Sequence, residues 1–254
     1  MSKDITSILN GWEHDPEEFQ VRIIAGDDGR DKLQMRVDLG VIQMELEGRP
    51  DGARPHGLDS LLDFYEGSAE KAETEGFRLD SDDCAALMRE GLQYYHRYLA
   101  SFHLERYDLV ARDTSRNLRL FAFAVKHASD RRDKVQFDQY RPYVLMMRAR
   151  ALSTDALNRG EHREALGALD DGIEGIRSFL KEYDRDEDEV DCRELIKLVR
   201  LRRDLEQSRP VGPVERLEQQ LDLAVSLEDY EEAARIRDQI ARLRGTPDAP
   251  VGSL

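Results

Sequence analysis

The chain has 254 residues, 40% of them hydrophobic and 36% charged, with a formal net charge of −15. That length suits one large domain or two smaller ones, and it is ample for a real core. The balance excludes a membrane-spanning chain, since no run approaches eighteen apolar residues, and the overall acidity argues against wholesale coating of nucleic acid. The first residues are rich in acids and hold no apolar stretch of signal-peptide length, so a cytoplasmic location is expected. Cys84 and Cys192 stand far apart, outside any CxxC pair, and are expected as free thiols.

Within residues 1–18, Ile5, Ile8, Leu9 and Trp12 predict a short amphipathic helix or docked tail ending before Pro16. From Phe19 to Glu47 the period changes to two. Val21 and Ile23, then Leu33, Met35 and Val37, then Val41, Ile42, Met44 and Leu46, form three runs. Gly26-Asp27-Asp28-Gly29 and Gly40 separate them, which predicts a three-stranded antiparallel meander. One face of such a meander has to be covered, since three strands alone are marginal.

The loop GRPDGARPHG at 48–57 carries Arg49, Arg54 and His56 beside Gly-rich backbone. Its spacing fits neither GxxxxGK[ST] nor GxGxxG. A rigid connector is the preferred reading, and an anion site serving an enzyme is the lesser one.

Beyond the loop the chain reads as helices over 58–74, 80–103, 107–128, 143–157, 162–183 and 189–207, with a charged turn at 129–134. Asp80 to Asp83 offer caps for the second of these. Segments 105–117 and 160–172 align at an offset of 55 residues, and the second resembles a tetratricopeptide repeat. Gly160 takes its turn glycine, Ala165 its small residue and Leu169 its packing residue, whereas His162 replaces the usual aromatic and Gly172 a typical alanine. Stacked αα-hairpins of tetratricopeptide-like character are therefore expected.

No residue pattern supplies a catalytic or metal site. The six histidines include no HExxH or HxH, and no GxSxG elbow occurs. Asp184, Asp186 and Asp188 open like a calcium loop, but Glu189 and Leu195 occupy the positions that need glycine and a bidentate glutamate. No cofactor, no metal and no catalytic residue are expected. Between 112 and 150, however, ten Lys or Arg face four Asp or Glu. Arg112, Arg116 and Arg119 share one helical face there and are the candidate contacts for nucleic acid or another anion; a solvated face paired with acids is the favoured alternative.

The most specific stretch is the last, 213–244, PVERLEQQLDLAVSLEDYEEAARIRDQIARLR. Leu217, Leu221, Ala224 and Val225 give one helix an apolar face, and Tyr230, Ala233, Ala234, Ile236, Ile240 and Leu243 give another theirs. Pro213 suits the first turn of the first helix, and Gly245 with Pro247 ends the second. Two short helices with a tight break make an αα-hairpin too small to bury a sufficient core unaided.

Leu217, Leu221, Ala224, Leu227, Tyr230-Glu231, Ala233-Ala234, Arg237-Asp238, Ile240 and Leu243 resemble the UVR motif of the excision-repair proteins UvrB and UvrC. There the motif is a helical hairpin that mediates their association, and similar hairpins occur in Clp-type unfoldases and in the activator of a bacterial protein-arginine kinase. The resemblance implies a protein partner and no reaction; the activator's cysteine pairs are missing here. It implies a bacterial, non-enzymatic adaptor whose binding residues are Leu217, Leu221, Tyr230, Ala233, Ala234, Ile236, Arg237, Asp238 and Ile240. A repair-associated protein touching DNA through 112–150 is the second reading.

The expected fold is α+β, predominantly α. Residues 1–57 would hold the meander, 58–209 the helical domain, 213–245 the hairpin and 246–254 a tail, joined at 210–213 by a stiff Pro-Gly linker.

Overall fold

The computed structural model describes residues 4–72, 76–208, 213–226 and 229–245. The fold is α+β: a three-stranded antiparallel sheet, then helices, then a C-terminal helical pair. The chain divides into two compact units, 1–204 and 205–254. The linker at 210–212, Leu227, Pro247 and the tail at 246–254 lie outside the described residues.

In the first unit, α1 (Thr6–Leu9) precedes β1 (Val21–Ala25), β2 (Asp31–Val37) and β3 (Gly40–Glu45), in the order β1-β2-β3. The β1–β2 turn needs a left-handed residue and places Gly29 there, at φ 76°. The register sets Val21 opposite Met35, and Leu33 between Ile23 and Met44. Alternation then sorts the faces. Leu33, Met35 and Met44 turn inward with Val21, Val37 and Ile42, against Ala100 and Leu104 of the helical layer.

The other face is a polar ladder. Gln34 accepts from Arg22 and donates to Gln43, both at 2.8 Å, and Lys32 donates to Asp28 at 2.7 Å and to Glu45 at 2.6 Å. The segment after α1 crosses this face: Arg22 lies 3.9 Å over the Trp12 ring, and Arg36 donates to the Trp12 carbonyl at 2.9 Å. Both faces of β2 are thus covered.

The helices follow as α2 (Leu61–Lys71), α3 (Ser81–His103), α4 (Tyr107–His127), α5 (Arg131–Asp138), α6 (Arg141–Asn158), α7 (His162–Glu182) and α8 (Arg193–Ser208). Ser60 caps α2, and Asp80 with Asp83 forms a full capping box at α3. The stretch expected as a charged turn is largely helix α5, because Asp130 accepts from the Arg132 N–H at 2.7 Å and Phe137 is buried.

α4 packs between α3 and α6, and α7 lies along α6. The core joins Leu62, Leu79, Leu87, Leu120, Phe121, Ala124, Phe137 and Val144. A parallel bridge between Leu79 and Ala128 ties the start of α3 to the end of α4. The glycine at 172, which departs from the tetratricopeptide pattern, has a local cause: a Cβ there would meet the Ala149 Cβ at 2.5 Å and Leu198 at 3.0 Å. α6, α7 and α8 approach too closely at that point for alanine.

Candidate functional site

The second unit holds α9 (Pro213–Ser226) and α10 (Tyr230–Gly245). Asp229 starts α10: its carboxylate accepts from the Glu232 N–H at 3.1 Å and its carbonyl from Ala233 at 3.0 Å, while its own N–H closes back on the Ala224 carbonyl at 2.9 Å. Helical periodicity then aims Ala233, Ile236 and Ile240 at α9, where Ala224 is buried and Leu217 and Leu221 pack against them. Among the described residues, four side chains are buried here, two of them alanine.

The nine expected binding residues therefore separate. Ala233, Ile236 and Ile240 are buried inside the hairpin, and Leu217 and Leu221 help cover them. Tyr230, by contrast, is 68% exposed. Ala234, expected on the apolar face, is exposed, as are Arg237 and Asp238, which pair with each other at 3.2 Å. Leu223, Val225 and Leu243 are exposed large apolar residues on the same two helices. Leu223, which the sequence reading passed over, falls outside the inward stripe of 217, 221 and 224; that offset was the available signal.

The basic face of α4 lies in the first unit and is engaged there. Arg112 donates to Glu47 at 2.8 Å, to Asp113 at 3.0 Å and to the Leu46 carbonyl at 2.6 Å. Arg116 pairs with Glu90 and lies 4.1 Å over the Tyr94 ring. Burial depresses the Arg116 pKa, and the Glu90 carboxylate opposes that shift. Arg119 reaches Asp63 at 2.7 Å and Glu66 at 3.2 Å.

Sequence reasoning missed the acids and the second guanidinium that organise this face. Glu90, fully buried, accepts from the Leu61 and Leu62 N–H groups at 2.7 and 3.1 Å, capping α2 from another helix. Arg97 and Asp113, each 1% exposed, form a two-bond ion pair at 2.6 and 2.9 Å. The same Arg97 donates to the carbonyls of Glu45 and Gly48 at 2.9 and 2.8 Å, holding the end of β3 onto the helices. Their sequence signal was polar residues standing on the apolar stripe of a helix.

The GRPDGARPHG loop spends its charge in the same way. Arg49 lies 3.1 Å from Asp51 and 3.5 Å from Glu90, Arg54 lies 2.9 Å from Asp59, and His56 stacks on Phe64 at 3.8 Å. Among the described residues, no group of three or more His, Cys, Asp or Glu side chains is placed to hold a metal ion, and no helix is long and apolar enough to cross a membrane. Burial pushes the Cys84 thiol up to about 11, which makes it a poor nucleophile near neutrality.

The geometry of 213–245 is that of a helical hairpin with a minimal core and apolar side chains left outside it. Residues 213–246 match the UvrB/uvrC motif. In the UvrB/UvrC family that motif is a protein-interaction module. No curated protein and no solved structure matches the chain.

Proposed function

We propose that the protein is a non-enzymatic adaptor of the bacterial cytoplasm that captures a protein partner through the hairpin at 213–245. The observation that carries this reading is the combination of a matched interaction motif with apolar side chains outside the hairpin's own core. Tyr230 is the anchor, since an exposed tyrosine offers large apolar area with a polar tip. Leu223, Val225, Ala234 and Leu243 supply further contact, while Arg237 and Asp238 set orientation from the rim. Ile236, Ile240, Ala233, Leu217 and Leu221 act one step back by fixing the hairpin's shape.

What supports a non-enzymatic reading is the state of the buried charges. Glu90 and Asp113 are held by guanidinium ions, and Glu90 also by backbone N–H groups, an arrangement suited to fixing helices. The DNA reading loses ground for a related reason: Arg112, Arg116 and Arg119 already sit on carboxylates, so phosphates would have to compete with partners in place.

The test is affinity capture from the native cell with full-length protein and two variants. Tyr230→Ala is expected to lower capture of the partner about thirtyfold, the effect of losing an interface anchor, while Arg119→Ala leaves it unchanged. Equal capture by Tyr230→Ala and the parent chain would remove the hairpin surface from the proposal.

A further inference from the structure

A second site lies in the first unit, and it does not depend on the hairpin. α3, α4 and the α5–α6 junction enclose a cavity of about 610 Å³, within the usual range for small-molecule pockets. Tyr98, Phe121, Val144, Gly91 and Asn117 are buried in its wall, Tyr95 and Tyr143 are half-buried, and Leu92 and Tyr140 stand exposed at its edge. The Tyr95 ring lies 5.5 Å from Tyr98 at 86° and 6.2 Å from Tyr143 at 52°, so three rings meet as a tilted corner.

The charge in this cavity is one-sided. Glu194 of α8 is the ionisable acid that lines it, and no Lys, Arg or His does. Among the described residues Glu194 has no ion-pair partner; its contact is the Cys192 Sγ at 3.8 Å. Elsewhere in this unit the buried carboxylates of Glu90, Asp113 and Asp138 all carry a guanidinium. Of the nearby cations, Arg150 is stacked 4.7 Å over Phe102 and Arg185 holds Asp188 at 2.6 Å, while Arg185 and Arg193 line an adjoining cavity that shares Gln139, Tyr143 and Glu194 with this one.

The amides in the wall are also occupied: Asn117 donates to the Gly91 carbonyl at 3.0 Å and accepts from Arg116 at 3.1 Å, and Gln139 donates to the Gln136 carbonyl at 3.0 Å. Five aromatic rings and one unpaired carboxylate favour positive charge, and the apolar walls favour carbon around it. From this geometry we infer that the cavity binds a small organic cation of the alkylammonium class, held by the tyrosine corner and by Glu194. Ring faces attract such a cation by their quadrupole, most strongly when it is desolvated. A metal ion would find a single carboxylate there, the other oxygens being neutral phenol and amide groups, and an anion would meet repulsion.

The experiment is calorimetric titration of the full-length protein with choline and with 3,3-dimethylbutan-1-ol, its neutral isostere. Choline is expected to bind about tenfold tighter than the alcohol, the factor a desolvated cation–π contact supplies. Glu194→Gln, a change at a half-buried side chain, weakens choline about fivefold or more and leaves the alcohol unchanged. Tyr143→Leu removes the preference for choline, whereas Tyr143→Phe keeps it. Equal affinity for choline and the alcohol, no saturable heat from choline, or an unchanged choline affinity in Glu194→Gln would each overturn the assignment.

Discussion

Arg97 shows how single residues hold this protein together. Its guanidinium spans two layers, meeting Asp113 of α4 with two hydrogen bonds and the β3 end with two more. A buried ion pair is weak evidence of net stability, because both charges give up water, but breaking one half strands the other. Arg97→Met is therefore expected to cost about 3–5 kcal/mol in denaturant unfolding. The double change Arg97→Met with Asp113→Leu should recover only part of that loss, because the Glu45 and Gly48 carbonyls lose their donor and Arg112 loses its bond to Asp113. A single variant as stable as the parent would contradict the role given to the pair. This network is only faintly legible in the sequence: Glu90, Arg97 and Asp113 stand on the apolar stripes of their helices, but which partner each one meets is settled by folding.

The elements themselves were far more legible, because their signals are periodic. Alternation marked the three strands, and Asp80 to Asp83 marked the start of α3. α5 escaped because its helix is eight residues long and mostly charged, so its single buried apolar residue, Phe137, set no readable stripe. Glycines on α7 show what periodicity alone misses. A Cβ at Gly172 would meet the Ala149 Cβ at 2.5 Å, whereas one at exposed Gly167 would touch nothing within 4 Å. Gly172→Ala is expected to destabilise by about 1–3 kcal/mol through overpacking. Gly167→Ala on the same helix should stabilise by about 0.5–1 kcal/mol by relieving the glycine entropy cost. Thermal unfolding of the two variants should shift in opposite directions; a rise for Gly172→Ala would show that α6 and α7 yield without cost. The hairpin taught a similar lesson. The stripe through 233, 236 and 240 is apolar in sequence, and its burial within the hairpin is what directs attention to Tyr230 and Leu223 instead.

At the scale of the whole molecule, the chain is a body and a hairpin. The body encloses its own sheet and its own core clusters, and its arginines are largely neutralised by acids from neighbouring elements. Among its described residues the hairpin buries four small or medium side chains, and it carries the motif of an interaction module. On the proposed reading the labour is divided: the body folds for itself and the hairpin is held for a partner. The fold class and the hairpin's identity were readable in advance, since both rest on local pattern. The tyrosine corner was not: Tyr95 and Tyr98 share one helix, but Tyr143 and Glu194 are distant from them in sequence and reach them through packing alone.

The most direct measurement compares the full chain with one ending at Gly212 in affinity capture, with circular dichroism and thermal unfolding recorded on both. The account predicts that the shortened protein keeps its helical signal and a cooperative transition yet captures none of the partner. A shortened protein that still captures the partner would contradict it.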